Sequence, residues 1–245
     1  MASQSVTSKP KLFHRLKRFL MHSRRRAYRL RAFIPGLSEH HRLEAMVGPL
    51  GFWAELQRYH LQLLQRNGLQ PQHTLLDIGC GPLQGGIAFI NFLEAGCYVG
   101  FDIDPVRIDA AHGQIARHRL SIKKPRVVVS STFGDQELFG QMFDFMWASQ
   151  ILYYFKDDAM NHLLNVVRGH LNPGGRFLAD TFPPDHYEFH HPEYPGRYVL
   201  HTEDSLSALA APHGLKVRCL GVIGDYGYPR RLSLRSNPLF EITHA

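Results

Sequence analysis

Apolar positions along the chain switch between two spacings. Phe52, Leu56, Tyr59, Leu63 and Leu64 recur every three to four residues, which predicts an amphipathic helix. Asn67-Gly68 and the following Pro71 supply its stop. Beyond that point short apolar runs alternate with helical stretches. TLLDIG, CYVGFDID, PRVVVSS, FDFMWAS and GRFLADTF predict five strands. GGIAFINFLEAG, PVRIDAAHGQIARHRL and DDAMNHLLNVVRGHL predict helices among them, the second with Asp104 as N-cap and Pro105 at its first position. EDSLSALAAPHGL adds a helix, and KVRCLGVIG and PLFEIT add two strands. Strands that alternate with helices and read as near-continuous apolar runs belong to a parallel sheet covered on both faces. The expected class is therefore α/β: a seven-stranded, mostly parallel sheet with an antiparallel last strand.

Charge changes the picture at the N-terminus. Of 28 Lys and Arg residues, ten lie between Lys9 and Arg31, and no Asp or Glu precedes Glu39. The net charge of +7 thus belongs to this segment, because the rest carries 18 basic against 21 acidic residues, a net of −3. Leu12, Leu16, Phe19, Leu20, Ala27 and Leu30 fall near helical spacing between the basic residues. Such a segment, residues 11–31, reads as an element docking on a membrane surface or a protein partner. A helix packed on the domain, a nucleic-acid arm and an organelle presequence are the competing readings. The expected division is a basic, partly helical extension over 1–38 and one domain over 39–245. No run approaches 18 apolar residues, which argues against a transmembrane helix. Cys80, Cys97 and Cys219 have neither metal nor disulfide spacing, which favours a reducing compartment. The expected location is cytoplasmic, with a peripheral place at the inner face of the membrane as the variant that the basic segment suggests.

The candidate chemistry gathers around LLDIGCGPLQGG, Leu75 to Gly86. Gly79, Gly81, Gly85 and Gly86 follow the first predicted strand, where the backbone must turn tightly or approach a ligand. A phosphate cradle of the Walker type needs a Gly-Lys-Ser/Thr run, and this turn has no Lys. Asp77 stands just before the first glycine and would repel a pyrophosphate, which disfavours a dinucleotide. Asp102 ends the second strand, where an acid accepts both hydroxyls of a ribose. Two carboxylates around a glycine turn suit a nucleoside that carries a cation and no phosphate. S-adenosylmethionine is such a ligand.

Four segments, in order, resemble the class I S-adenosylmethionine-dependent methyltransferases: LLDIGCG, YVGFDIDPVRIDAA, FDFMWASQILYYF and LLNVVRGHLNPGGRFLAD. The resemblance runs from about Leu75 to Asp180 and implies a Rossmann-like fold with S-adenosyl-L-methionine as cofactor. More loosely, MVGPLGFW through LQGG resembles a bacterial subgroup that modifies glycans and small molecules. Carried over by position, Asp77, Gly79 and Gly81 would surround the methionine part. Asp102 would hold the ribose, Ile103 would pack on the adenine, and Thr132 and Phe133 would line it. Ser149 and Gln150 would face the sulfonium. One position departs from the pattern: Leu83 stands where the resemblance expects a third glycine.

The acceptor is less legible. ASQILYY after the fourth strand is unlike the Asn/Asp-Pro-Pro-Tyr/Phe run of nucleic-acid amino methyltransferases, so a nucleic-acid acceptor is not expected. The segment after strand five is rich in rings, and His186, His190 and His191 are the candidates for a general base. It has no helical i, i+4 His pair, and no metal site is expected. The expected activity is methyl transfer to a small molecule or glycan, at oxygen. The alternatives are N-methylation of a small molecule and a non-catalytic adaptor that docks through 11–31.

Overall fold

The computed structural model describes residues 38–133, 137–138, 140–185 and 198–245. The basic segment 11–31 lies outside them. The chain divides into a first unit ending at Gly51 and a main unit, Phe52–Ala245. In the first unit, Ser38 caps a helix that apolar spacing does not predict, α1 (Glu39–Val47).

The main unit opens with α2 (Trp53–Arg66), then β1 (Leu75–Ile78), α3 (Gly86–Phe92), β2 (Tyr98–Asp102) and α4 (Pro105–Arg117). Next come β3 (Arg126–Val129), β4 (Phe143–Ala148), α5 (Asp157–His170) and β5 (Leu171–Asp180). The chain ends with α6 (Glu203–Ala210), β6 (Leu215–Val222) and β7 (Pro238–His244). The seven strands stand in the order β3-β2-β1-β4-β5-β7-β6, with β7 antiparallel to both neighbours and the other pairings parallel. Asp104 caps α4 as expected, accepting from the Val106 N–H at 2.9 Å, with Pro105 in the first turn.

Both faces of the sheet are covered. Leu75, Tyr98, Phe145, Trp147 and Leu178 pack with Leu56, Tyr59 and Leu63 of α2, Phe89 of α3 and Ile108 of α4. On the other face Leu76, Ile78, Met146 and Phe177 pack with Leu163 and Val167 of α5 and Leu206 of α6. Each wholly buried aliphatic or aromatic side chain contributes roughly 1.5–3 kcal/mol. Two-sided burial explains why the strands read as apolar runs rather than alternating ones. No helix of the described residues is long and apolar enough to cross a membrane.

The β4–β5 pairing sets where the fifth strand begins. Phe143 pairs with Leu171, but Phe145 pairs with Arg176, so Asn172 to Gly175 bulge out of register. β5 therefore starts before the glycines rather than after them. A side chain on Gly175 would lie 2.9 Å from the Asn172 carbonyl and 3.0 Å from that of Phe143. Gly169, exposed near the end of α5, has open space around it. Gly175→Ala is expected to destabilise by about 1–3 kcal/mol, as over-packing does. Gly169→Ala should stabilise by about 0.5–1 kcal/mol, as a helical glycine replaced by alanine does. Thermal denaturation of the two variants checks both signs.

Candidate active site

The chain runs outward from β1 to β2 and β3, then returns to place β4 on the other side of β1. Ligands in such sheets bind beyond the carboxyl ends of the strands at this reversal. The glycine turn sits there. Gly79 and Gly81 have φ of +73° and +54°, which favours glycine. The turn is tied to its neighbour strand: the Gly79 and Cys80 N–H groups donate to the Phe101 carbonyl. The Gly81 N–H donates to Asp102 Oδ2 at 3.0 Å. Asp102 Oδ1 accepts from the Asp104 N–H at 2.9 Å, and the Arg107 guanidinium stands 3.7 Å from Oδ2. The buried Asp102 is thus oriented from three sides, while Ile103 beyond it is 69% exposed.

Asp77 is buried beside Tyr98, whose hydroxyl donates to Oδ2 at 2.7 Å. Burial pushes the Asp77 carboxyl up to about 7, against the lowering effect of this bond. The Tyr98 hydroxyl fits because two neighbours lack side chains: a Cβ on Gly86 would lie 2.6 Å from it, and one on Gly100 2.9 Å. Cys80 packs against Gly100, and burial pushes its thiol well above the ordinary range. It fills space and is not an activated nucleophile.

Leu83 keeps the turn's path without glycine. It has φ of +65° and its side chain is wholly buried. The left-handed conformation costs about 1–2 kcal/mol, which burying a leucine, at roughly 1.5–3 kcal/mol, offsets.

The remaining cofactor candidates come to the same edge. Ser130, after β3, donates its N–H to the Asp102 carbonyl at 3.0 Å, which brings the Thr132-Phe133 segment alongside β2. Thr132 is exposed, with its carbonyl 3.1 Å from His162 Nε2. Phe133 packs edge to face on Phe155, with ring centres 5.0 Å apart. From the end of β4, the Ile151 side chain approaches to 3.0 Å of where a Gly79 Cβ would be. Ser149 and Gln150 both donate to Asp180, the Ser149 hydroxyl and the Gln150 N–H at 3.0 Å. His186, His190 and His191 lie outside the described residues, so the structure does not place the candidate bases. Among the described residues no three His, Cys, Asp or Glu side chains gather as metal ligands would.

Residues 76–177 match the family model of a methyltransferase domain. That match runs from β1 into β5, and the fold is one that solved SAM-dependent methyltransferases share. No curated protein matches it in sequence. Among solved structures, the chain is similar to a TehB-like SAM-dependent methyltransferase from Corynebacterium glutamicum ATCC 13032 Kitasato. That pair is 18% identical, with a TM-score of 0.54, over 76% of this chain and 88% of the other. It is also similar to magnesium protoporphyrin IX methyltransferase from Synechocystis PCC 6803 with bound SAH, at 13% identity and a TM-score of 0.58, over 89% and 94%. A third is the glycopeptide N-methyltransferase MtfA complexed with sinefungin, at 16% and 0.59, over 82% and 100%.

Sequence reasoning does not reach two residues of the candidate site. Tyr98 gives no signal, because its partner is 21 residues away and only the sheet register joins them. Asp180 does give one: it ends strand five as Asp102 ends strand two. Tyr59, on the helix before the sheet, is 1% exposed and belongs to the core.

The raised carboxyl of Asp77 has a signed consequence. A folded-state pKa of about 7 against an ordinary 3.8 means the folded protein binds the proton more tightly. Stability from this group is therefore full below 3.8 and lost as pH rises through 7. Asp77→Asn is expected to raise the Tm of the ligand-free protein by several degrees at pH 8. The gain should shrink as pH falls towards 5, which calorimetry across that range measures.

Proposed function

We propose that the chain is a methyltransferase that binds S-adenosyl-L-methionine at the glycine turn and transfers its methyl group to a small-molecule or glycan acceptor. The observation that carries the reading is the pair of buried carboxylates flanking the turn, Asp77 on β1 and Asp102 on β2. Asp102 retains acceptor capacity for a ribose, since each oxygen takes one backbone N–H and a carboxylate offers about four lone-pair sites. The apolar Ile103 lies exposed beside it, where an adenine can cover it. Asp77 suits a ligand cation, and the buried turn holds no phosphate-binding Lys. That two of the similar structures hold SAH and sinefungin supports the same reading.

When bound, the cofactor supplies an electrophilic methyl on a sulfonium. The chain supplies position: Asp102 fixes the ribose end, the Gly79–Gly81 backbone fixes the methionine end, and the β4 terminus walls the space between. Alignment of this kind accounts for most of the rate in an in-line displacement. For a hydroxyl acceptor a base must take the proton, and a histidine among His186, His190 and His191 fills that role in this reading. Methylation at oxygen is the preferred version. The likeness to a glycopeptide N-methyltransferase favours nitrogen as the second. In either version residues 11–31 dock the protein on an anionic membrane surface or a partner.

Titration calorimetry with S-adenosylhomocysteine is expected to show binding, weakened at least about tenfold by Asp102→Ala, since hydrogen bonds to charged groups contribute roughly 1.5–3 kcal/mol. No binding to the intact protein at millimolar ligand would overturn the reading. For the acceptor, transfer of labelled methyl into extract metabolites, with NMR of the product, separates O-methyl from N-methyl. Replacing the true base should lower kcat by roughly 10²–10⁴-fold, with the homocysteine affinity unchanged.

A further inference from the structure

Asp180 ends β5 on the carboxyl edge of the sheet and is wholly buried. The proposed chemistry gives it no part. Its carboxylate accepts from the Ser149 hydroxyl and the Gln150 N–H on Oδ1, and from the Asn237 amide on Oδ2, each at 3.0 Å. Two of these three donors are the residues immediately after β4. Gln150 has φ of +57°, a region that non-glycine residues rarely adopt and hold only against strain. Its side chain donates to the Tyr228 hydroxyl at 3.2 Å, and the Tyr228 ring meets Tyr59 edge to face, centres 5.1 Å apart.

Gln150 is thus held at its backbone by Asp180 and at its amide by Tyr228. The next residue, Ile151, reaches the glycine turn at Gly79. Burial pushes the Asp180 carboxyl up to about 6, with its three donors opposing the rise, so it is ionised at neutral pH. Hydrogen bonds to an ionised acceptor are about twice as strong as neutral ones, so this carboxylate can hold a strained backbone.

The geometry points to Asp180 as a positioning residue: it locks Ser149 and Gln150 in the left-handed turn that sets the end of β4 against the glycine turn. This rests on the reading that the cofactor binds there. Asp180 touches no ligand itself. It acts through Gln150, and glycine at position 150 would adopt the same turn without help.

The test is a cycle of full-length proteins titrated with S-adenosylhomocysteine: wild type, D180A, Q150G and D180A/Q150G, with D180N and D102A alongside. Loss of two charge-assisted bonds predicts that D180A weakens binding about tenfold, or about 1.4 kcal/mol. In the Q150G background the same substitution should cost less than about threefold. D180N keeps an oxygen for Ser149 and Gln150 and should bind within about threefold of wild type. Equal losses in both backgrounds, or no loss from D180A, would overturn the proposal. So would a D180A chain that folds in neither background, because Asp180 would then serve packing alone. If the wild type binds no homocysteine, the cofactor reading fails on its own. The crystal structure of D180A then decides: Gln150 leaving the left-handed region supports the lock, and Gln150 staying there refutes it.

Discussion

The hydrogen bond from the Gly81 amide to Asp102 joins the glycine turn to the second strand, and the site hangs on that join. It sets the carboxylate proposed to face a ribose against the turn that would hold the other end of the same ligand. It also depends on the sheet order, because only the reversal between β2-β1 and β4 leaves the turn open at the carboxyl edge. Gly79 and Gly81 are required there by their positive φ, and Leu83 shows that a third glycine is not. A leucine can occupy the left-handed position when its side chain gains a core to fill.

Around that join the described residues of the sheet include three buried aspartates: Asp77, Asp102 and Asp180. None is free of protein partners. A tyrosine holds the first, two backbone amides and an arginine the second, and three donors the third. Burial raises the carboxyls of Asp77 and Asp180, which marks them as groups the fold carries at some loss of stability. Polar groups kept at such a cost collect at functional sites. Here they line the three strand ends from which such folds present their ligands.

Most of the architecture was legible because period and punctuation agree along this chain. The strands at Leu75, Tyr98, Arg126, Phe143 and Leu215, and the Asp104-Pro105 helix start, stand where apolar runs and capping chemistry put them. The N-P-G-G segment misleads by a few residues, since a wide bulge lets β5 begin before its glycines. Helix α1 escapes because EHHRLEAMV has little apolar periodicity. Of the site, the acids and glycines beside the turn were readable from their places in the strands. The partners Tyr98, Tyr228 and Asn237 were not, because register and packing bring them in from distant sequence.

The Tyr98 hydroxyl occupies the space that Gly86 and Gly100 leave open. These three positions therefore share one volume and cannot vary independently. A homologue with a side chain at either glycine position needs a smaller residue at 98, and loses the hydroxyl that orients Asp77. Covariation among 86, 98 and 100 would thus separate relatives that brace this acid from below from those that hold it by another route.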